Sequence, residues 1–225
     1  VDRQGRLVGV VFAGIEQYEG INFAVPSYWV HSFLTELYLD GPVVHPWLGV
    51  AVEEIARGLL VSYVANDSPA DHAGLEVGDV ITGIGDWPAG KIGSAQAILL
   101  QRGEGSLIEL QWQRDGREID GLVSLAARPP RPVEVALEKD IHDRLYPVLF
   151  GMQVERTGGI SFNQSYRVTR VYRGSIADET GITAGDTFNE RDFFYDEELD
   201  VVFLRMFIRK RTEGFMSTSI QLPAY

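Results

Sequence analysis

The side chains that most often do chemistry are few in this sequence and lie far apart. No histidine has a second histidine or a carboxylate at the spacing of metal ligands. The acidic runs at 53–54 and 196–198 are typical of solvated faces, and the second suits the first turn of a helix. The absence of cysteine excludes disulfides, thiol catalysis and cysteine zinc sites. We therefore expect no catalytic residue, no metal and no cofactor within these 225 residues. The histidines are His31, His45, His72 and His142.

The composition is that of a folded, acidic protein. The 225 residues are enough for one large domain or two small ones. Hydrophobic residues make up 45% of the chain and charged residues 23%, which is ordinary for soluble proteins and too apolar for a disordered chain. The chain contains 20 Lys and Arg and 32 Asp and Glu, which gives a net charge of −12. Because negative charge repels phosphate backbones, we expect no nucleic-acid partner.

An internal repeat indicates two similar domains in tandem. Residues 66–81 read NDSPADHAGLEVGDVI and residues 173–188 read RGSIADETGITAGDTF. Six identities occur at one fixed offset of 107 residues, and they include both glycines of a Gly-x-x-x-Gly-Asp run. Each copy predicts a serine N-cap, a short helix, a glycine C-cap and a turn into a strand. The spacing is far too long for a solenoid.

The segments around each copy follow one plan. In the first unit we expect strands at 58–64 and 79–84, a helix at 94–101 and a hairpin that turns at Asp115-Gly116. In the second unit we expect a strand at 166–172, a helix that Asp196 caps and that runs to about Leu204, and a hairpin at 207–222. Proline clusters at 42–46 and 129–132 mark the boundaries of the units.

The SPADHAGLEVGD run resembles the PDZ domains of HtrA-type (DegP-like) serine proteases. The string Pro46-Trp47-Leu48-Gly49-Val50 stands where that family has its carboxylate-binding loop. The resemblance implies a β-rich α+β chain of two tandem PDZ-like modules, each a partly open barrel or sandwich with two short helices. We expect module 1 at 44–128 and a divergent module 2 at 133–225.

The resemblance implies that module 1 binds peptides. An extended peptide adds as a strand to residues 50–54, the loop amides hold its terminal carboxylate, and the last side chain enters a pocket beside the helix at 94–101. Ile98 and Leu99 are equally consistent with ordinary core packing. The binding residues expected in module 1 are Trp47, Leu48, Gly49, Val50, Ala51, Val52, Ile98 and Leu99.

Module 2 departs from the pattern, because its loop reads Phe-Gly and its first helix lacks the proline. Leu149, Phe150, Gly151 and Met152 occupy the place of the binding loop. Two readings are equally open: this loop also binds peptide, or module 2 packs against neighbouring subunits.

The first forty residues are similar to the end of the trypsin-like domain in the same family. They predict a hairpin with a turn at 3–5, a strand at 20–26, and a helix that Ser27 caps and that ends at 40–42. The resemblance implies a domain remnant at 1–40, with the nucleophilic serine and its His and Asp upstream of Val1. We therefore expect a C-terminal part of a longer protein that is inactive by itself.

The resemblance implies a substrate-recognition region of a periplasmic or cell-envelope serine endopeptidase. Its partners would be unfolded proteins or C-terminal peptides with apolar ends, and other subunits of a homo-oligomer. The alternative is a tandem PDZ protein that binds peptides or assembles complexes and is not an enzyme. The segment 1–27 favours the protease reading, since a free-standing PDZ pair has no need for it.

Overall fold

The computed structural model describes residues 1–14, 22–38, 44–160, 163–210 and 214–223. The helices are α1 (Ser27–Tyr38), α2 (Pro69–His72), α3 (Ile92–Arg102), α4 (Pro132–Lys139), α5 (His142–Leu145) and α6 (Ile176–Glu179), and a π-helical segment, Tyr146–Phe150, follows α5. The strands are β1 (Gly9–Gly14), β2 (Asn22–Pro26), β3 (Pro46–Trp47), β4 (Val50–Ile55), β5 (Gly58–Val64), β6 (Val80–Ile84), β7 (Trp87–Pro88), β8 (Leu107–Arg114), β9 (Arg117–Ser124), β10 (Ala126–Ala127), β11 (Met152–Ile160), β12 (Asn163–Val171), β13 (Thr187–Asp196), β14 (Val201–Lys210) and β15 (Gly214–Pro223). No described helix has the length and apolar character needed to cross a membrane.

The N-terminal segment consists of a two-stranded sheet and one helix. Strands β1 and β2 pair antiparallel, and α1 runs from Ser27, where the sequence predicted a helix. The predicted hairpin within residues 1–13 is wrong: the turn at 3–5 is present, but no strand precedes it, and β1 pairs with β2 instead. Apolar side chains remain on the outside of this small sheet: Phe12 is 69% exposed and Val11 is 63% exposed. The predicted end of the helix at 40–42 lies outside the described residues.

Module 1 is built on one antiparallel sheet with strand order β4-β5-β6-β8-β9, and β7 pairs with β6. Strands β8 and β9 meet at the predicted Asp115-Gly116 turn, where both residues have positive φ. Strand β4 lies at the border of the sheet and pairs only with β5 among the described strands. The sheet therefore leaves β4 open on its outer side, and β9 forms the opposite border.

The repeated motif holds the turn behind β4 in place. The Ser68 side chain caps α2 by accepting a hydrogen bond from the Asp71 N–H at 3.2 Å. Asp79 is 1% exposed, and its carboxylate accepts from the Glu76 N–H at 2.8 Å and from Arg114 of β8, also at 2.8 Å. Serine and aspartate at these positions therefore satisfy backbone and guanidinium donors rather than doing chemistry.

Module 2 has a five-stranded sheet in chain order, β11-β12-β13-β14-β15. The helix predicted from Asp196 to about Leu204 is wrong: β13 ends at Asp196, and β14 begins at Val201. Asp196 caps a tight turn instead, because its Oδ1 accepts from the N–H groups of Glu198 and Leu199 at 3.1 Å. Module 2 thus lacks the helix that module 1 places between the corresponding strands.

A helical segment at 132–150 lies between the modules and packs on both. Pro132 stands in the first turn of α4, where a missing N–H costs nothing. Tyr146 and Phe150 of the π-helical segment are fully buried in the core of module 2. Tyr63 of β5 belongs to the same buried cluster, and Ala51 of β4 packs against it. The two modules therefore share a core across the back of β4 and β5.

Arg144 of α5 stabilises the junction between the two modules. Its guanidinium donates to the Val64 carbonyl at 3.1 Å, to Asn66 Oδ1 at 3.2 Å and to Asp140 Oδ1 at 3.0 Å. It also lies 5.7 Å above the ring of Tyr63, within the range of a cation–π contact. One side chain thus holds the end of β5 to the start of module 2.

Candidate peptide-binding site

The open border of β4 presents backbone groups to solvent. Val50 lies opposite Val64, and the Ala65 N–H donates to the Gly49 carbonyl at 2.8 Å. Because the residues next to this pair are hydrogen-bonded to each other, Val50 and Val64 form a non-hydrogen-bonded pair of the antiparallel ladder. The N–H and C=O of Val50 therefore point away from β5, toward the side where another strand could pair.

The loop before β4 is curled by Gly49, whose φ is +85°. A Cβ atom on Gly49 would lie 2.2 Å from the Cβ of Ser68, so no other residue fits this turn. The Ala70 N–H holds the loop from behind by donating to the Leu48 carbonyl at 2.9 Å. Among the described residues, the N–H groups of Leu48 and Gly49 donate to no backbone carbonyl. We call residues 47–50 the cradle.

A groove of about 710 Å³ runs between β4 and α3. That volume lies within the range of about 300–1,000 Å³ that is common for ligand sites. Leu48, Val50 and Val52 form one wall, while Ala95 and Leu99 of α3 form the other. The groove is mostly apolar and opens beside the cradle, as a site for the end of an extended chain requires.

The structure brings most of the sequence-predicted residues of module 1 together. All six predicted residues from 47 to 52 line the groove, and so does Leu99. Ala51 also packs against the core of module 2. Ile98 packs against the core of module 1 and is not among the described residues that line the groove.

Sequence reasoning missed part of the helix wall. Helix α3 begins at Ile92, two residues before the predicted start, so Ile92 also lines the groove. The missed signal is the helical period, since 92, 95, 96, 99 and 100 fall on one face and all line the groove. Trp29, His45 and Arg128 also line the groove, and they come from segments that only the tertiary structure brings to it.

Glu54 connects the far end of β4 to the start of α3. Its Oε1 accepts from the Ile92 N–H at 2.9 Å, and its Oε2 pairs with Lys91 Nζ at 2.8 Å. Lys91 is the N-cap residue of α3 and offers no side-chain cap of its own, so Glu54 supplies the cap from across the groove. The hydrogen bonds from Lys91 and from the Ile92 backbone lower the pKa of Glu54.

The corresponding loop of module 2 has the same turn but a different setting. Gly151 has a φ of +68°, and a Cβ there would lie 2.2 Å from the Cβ of Ser175. Its N–H, however, donates to the Pro147 carbonyl at 3.1 Å, so the helical segment occupies this donor.

The other predicted residues of module 2 are placed away from an open groove. Phe150 and Met152 are fully buried, and Leu149 lines a cavity between the modules. In the described part of module 2, β13 passes directly into β14 without a helix opposite β11. Peptide binding by these four residues stays a prediction.

Within the described residues, no group of three or more His, Asp or Glu side chains lies close enough together to hold a metal ion.

Two protein-family models match the chain. The PDZ domain family matches residues 46–125, and the TP0546 family PDZ domain matches residues 133–225. Both modules are therefore PDZ domains, in tandem.

The relatives found among curated proteins are proteases. A probable periplasmic serine endoprotease, DegP-like, from Marinomonas sp. is 27% identical over 197 residues, which cover 81% of this chain and 42% of that protein. The serine protease Do-like HtrA of Lactococcus lactis subsp. lactis is 25% identical over 150 residues, which cover 56% of this chain and 37% of that protein. The chain thus spans less than half the length of these relatives.

Solved structures give the same relationship. The HtrA-type protease AlgW with a tripeptide superimposes with a TM-score of 0.51 at 27% identity, covering 58% of this chain and 48% of that chain. The same protease with a decapeptide gives a TM-score of 0.50 at 27% identity, covering 58% of this chain and 45% of that chain.

Proposed function

We propose, from the premise that this chain is the tandem PDZ region of an HtrA-like protein, that module 1 captures the free C-terminus of an extended peptide. The observation that supports this most is that three features meet at one place: the open outer border of β4, a glycine-curled cradle at its start and an apolar groove at its side. The peptide adds to β4 through main-chain hydrogen bonds, which are independent of peptide sequence.

The cradle recognises the terminal carboxylate. The N–H of Val50 points to the open side of β4, and those of Leu48 and Gly49 have no backbone acceptor among the described residues. Successive backbone N–H groups in such a turn form a concave anion site. A carboxylate placed there accepts hydrogen bonds that are stronger than those of a neutral group.

The groove selects an apolar last residue. Its walls are Leu48, Val50 and Leu99, and Ala95 on the helix side has no polar side-chain atom. We therefore expect peptides that end in Val, Leu, Ile or Phe to bind, with affinities in the micromolar range or weaker for so small a contact.

Module 2 serves as a support for module 1 rather than as a second binding module. Its loop donor on Gly151 is already bonded to Pro147, and its helical segment packs on the back of β4 and β5. A contribution of the same module to contacts between subunits is compatible with this role.

The protein to which these modules belong is, in this proposal, a periplasmic serine endopeptidase. The relatives named above support that class, and the N-terminal hairpin and α1 correspond to the end of its protease domain. The catalytic His, Asp and Ser would lie outside residues 1–225. Its substrates would be unfolded proteins with exposed apolar C-termini, and we expect the chain alone to leave casein uncleaved.

Titration calorimetry with a hexapeptide that ends in Val tests the binding proposal. The free-acid peptide should bind with one site per chain, and its C-terminal amide should bind at least about tenfold more weakly, since the charge-assisted hydrogen bonds are lost. Equal affinity for acid and amide would contradict carboxylate recognition. A stoichiometry of two would contradict the role given to module 2.

A further inference from the structure

Two spaces flank the outer border of β4. The first is the peptide groove against α3. The second, of about 220 Å³, lies between the two modules, against the helical segment of module 2, and we call it the inter-module cleft. The two spaces meet along the cradle and the start of β4. The residues that line both are Trp47, Gly49, Val50, Ala51 and Pro132.

Alternate residues of β4 face the two modules. Val50 and Val52 pack against the core of module 1, whereas Ala51 between them packs against the core of module 2. This is the period of a strand, in which successive side chains point to opposite faces of the sheet. A peptide strand that pairs with β4 has the same alternation, because residues opposite each other in a sheet lie on one face. Its side chains therefore enter the groove and the inter-module cleft in turn.

The position of the penultimate side chain of the peptide follows from this alternation. In the proposed complex the terminal carboxylate lies in the cradle, and the last side chain enters the groove beside α3. The side chain before it must then point to the opposite face, toward Ala51 and the inter-module cleft. On a sheet with no neighbour on that face this side chain would lie in water, but here it meets module 2.

The helical segment of module 2 offers an apolar wall to that side chain. Val133 and Ala136 of α4 and Val148 of the π-helical segment line the inter-module cleft. All three are only partly buried, so each has apolar surface that a ligand can cover. An engineered protein cavity of about 150 Å³ holds one benzene molecule. A cleft of about 220 Å³ therefore has room for the side chain of leucine or phenylalanine.

The polar groups that line the cleft have partners within the protein. Asp140 accepts a hydrogen bond from Arg144 at 3.0 Å, and Lys139 pairs with Asp67 at 3.6 Å. The side-chain amide of Asn66 donates to the Lys139 carbonyl at 2.9 Å. An apolar side chain can cover these groups without leaving them unpaired, whereas a polar side chain would give up its own water on entering.

We propose that the inter-module cleft is a second subsite for the captured peptide and takes an apolar penultimate side chain. This inference rests on the proposed capture of a C-terminus by module 1, and it makes module 2 one wall of that single site. The preferred substrates are then chains whose last two residues are both apolar. Strands that are buried on both faces read as such continuous apolar runs, so the site favours ends that become exposed when a protein unfolds.

Titration calorimetry on the full chain tests the subsite with two free-acid hexapeptides that differ only in the penultimate residue and end in Leu-Val or Ser-Val. The Leu-Val peptide should bind about fivefold more tightly, because the cleft removes apolar surface of the leucine from water. Ala136→Glu places a charge on the wall and should bring the ratio of the two affinities close to one. Val133→Ala removes part of the wall and should lower the same ratio. The matched control is Leu99→Ala on the other face, which should weaken both peptides and keep the ratio.

A second measurement needs no variant. In the complex of the full chain with the Leu-Val peptide, the methyl groups of the penultimate leucine should show nuclear Overhauser effects to the methyl groups of Val133 and Val148. Their absence at saturating peptide would overturn the subsite.

The other outcomes separate the subsite from the peptide-binding proposal. Equal affinities of the two peptides for the parent chain would overturn the subsite and leave the capture of a C-terminus intact. A preference for leucine that survives unchanged in a folded wall variant would also overturn it, since another surface would then contact that side chain. Failure of both peptides to bind would contradict the proposed function itself, and the subsite with it. Thermal unfolding of each variant shows whether it is folded.

Discussion

Gly49 is the residue on which the peptide-binding proposal depends most. Its positive φ and its close approach to Ser68 recur at Gly151 and Ser175, so the chain contains its own control. Gly49→Ala should cost at least about 1–3 kcal/mol of stability through backbone strain, and the clash of its Cβ with Ser68 adds to this. It should lower peptide affinity at least about tenfold, because the cradle amides shift. Gly151→Ala should cost similar stability with no change in affinity. Titration calorimetry with the Val-ending peptide measures the affinity, and thermal unfolding measures the stability. An affinity loss in Gly151→Ala but not in Gly49→Ala would show that module 2, not module 1, binds the peptide.

Leu99 and Ile98 are neighbours on α3 with different roles. Both pack against the core of module 1, but only Leu99 also lines the groove. We expect Leu99→Ala to lower the peptide affinity about tenfold, because an apolar contact with the peptide is lost. Ile98→Ala should change the peptide affinity less than twofold and lower the stability of the fold by about 1–2 kcal/mol. The same titration distinguishes the two variants. Equal losses of affinity would contradict a direct contact between Leu99 and the peptide.

At the scale of elements, Glu54 joins β4 to α3 and gives the groove a pH dependence. Its pKa is lowered in the folded state, first by Lys91 and then by the Ile92 N–H. A carboxyl group whose pKa is lower in the folded state stabilises the folded protein fully at pH values above its unfolded pKa, which is about 4.3 for glutamate. This stabilisation is lost as the pH falls through the pKa of the folded state. Glu54→Gln should therefore unfold at lower urea concentration than the parent chain at pH 7, and the difference should shrink as the pH falls below the unfolded pKa of glutamate. A difference that persists in acid would show that the Glu54 contacts do not depend on its charge.

Local motifs made several elements predictable. The Ser-capped turns and the Asp115-Gly116 hairpin could be predicted because each depends on residues close in sequence. The place of the cradle came from a family resemblance, since its shape depends on contacts with Ser68 and Ala70 in the repeated motif. The predicted helix after Asp196 failed for a physical reason: acidic residues in a first turn suit a helix, but residues 201–208 are rich in β-branched and aromatic side chains and gain two strand partners, β13 and β15. Tertiary pairing therefore overrode the local signal.

At the scale of the whole molecule, the junction of the modules was not predictable from sequence. Tyr63 reads as an ordinary strand residue, yet it lies in the core of module 2, and Arg144 contacts residues about 80 positions earlier in the chain. Only the fold brings these residues together. Sequence analysis predicted a boundary at 129–132 and a binding loop at 149–152, but no helices between them. The helical segment at 132–150 is the element that creates the contact.

Arg144 provides a test of this junction. Arg144→Ala removes the bonds to Val64, Asn66 and Asp140 and leaves a buried carboxylate without its cation, so we expect a loss of about 2 kcal/mol and earlier unfolding of one module. The matched control is Arg156→Ala, which removes an exposed pair with Asp143 within module 2 and should cost less than about 0.5 kcal/mol. Scanning calorimetry distinguishes a single transition from two; equal effects of the two variants would contradict a shared core.

The central claim is that a peptide C-terminus enters the cradle of module 1, and amide NMR tests it most directly. On titration with the free-acid Val-ending peptide, the N–H resonances of Leu48, Gly49 and Val50 should shift downfield as they gain a carboxylate acceptor, and those of Gly151 and β11 should not move. The amidated peptide should leave the cradle resonances nearly unchanged. Shifts confined to β11, or none in the cradle at saturating peptide, would contradict the account.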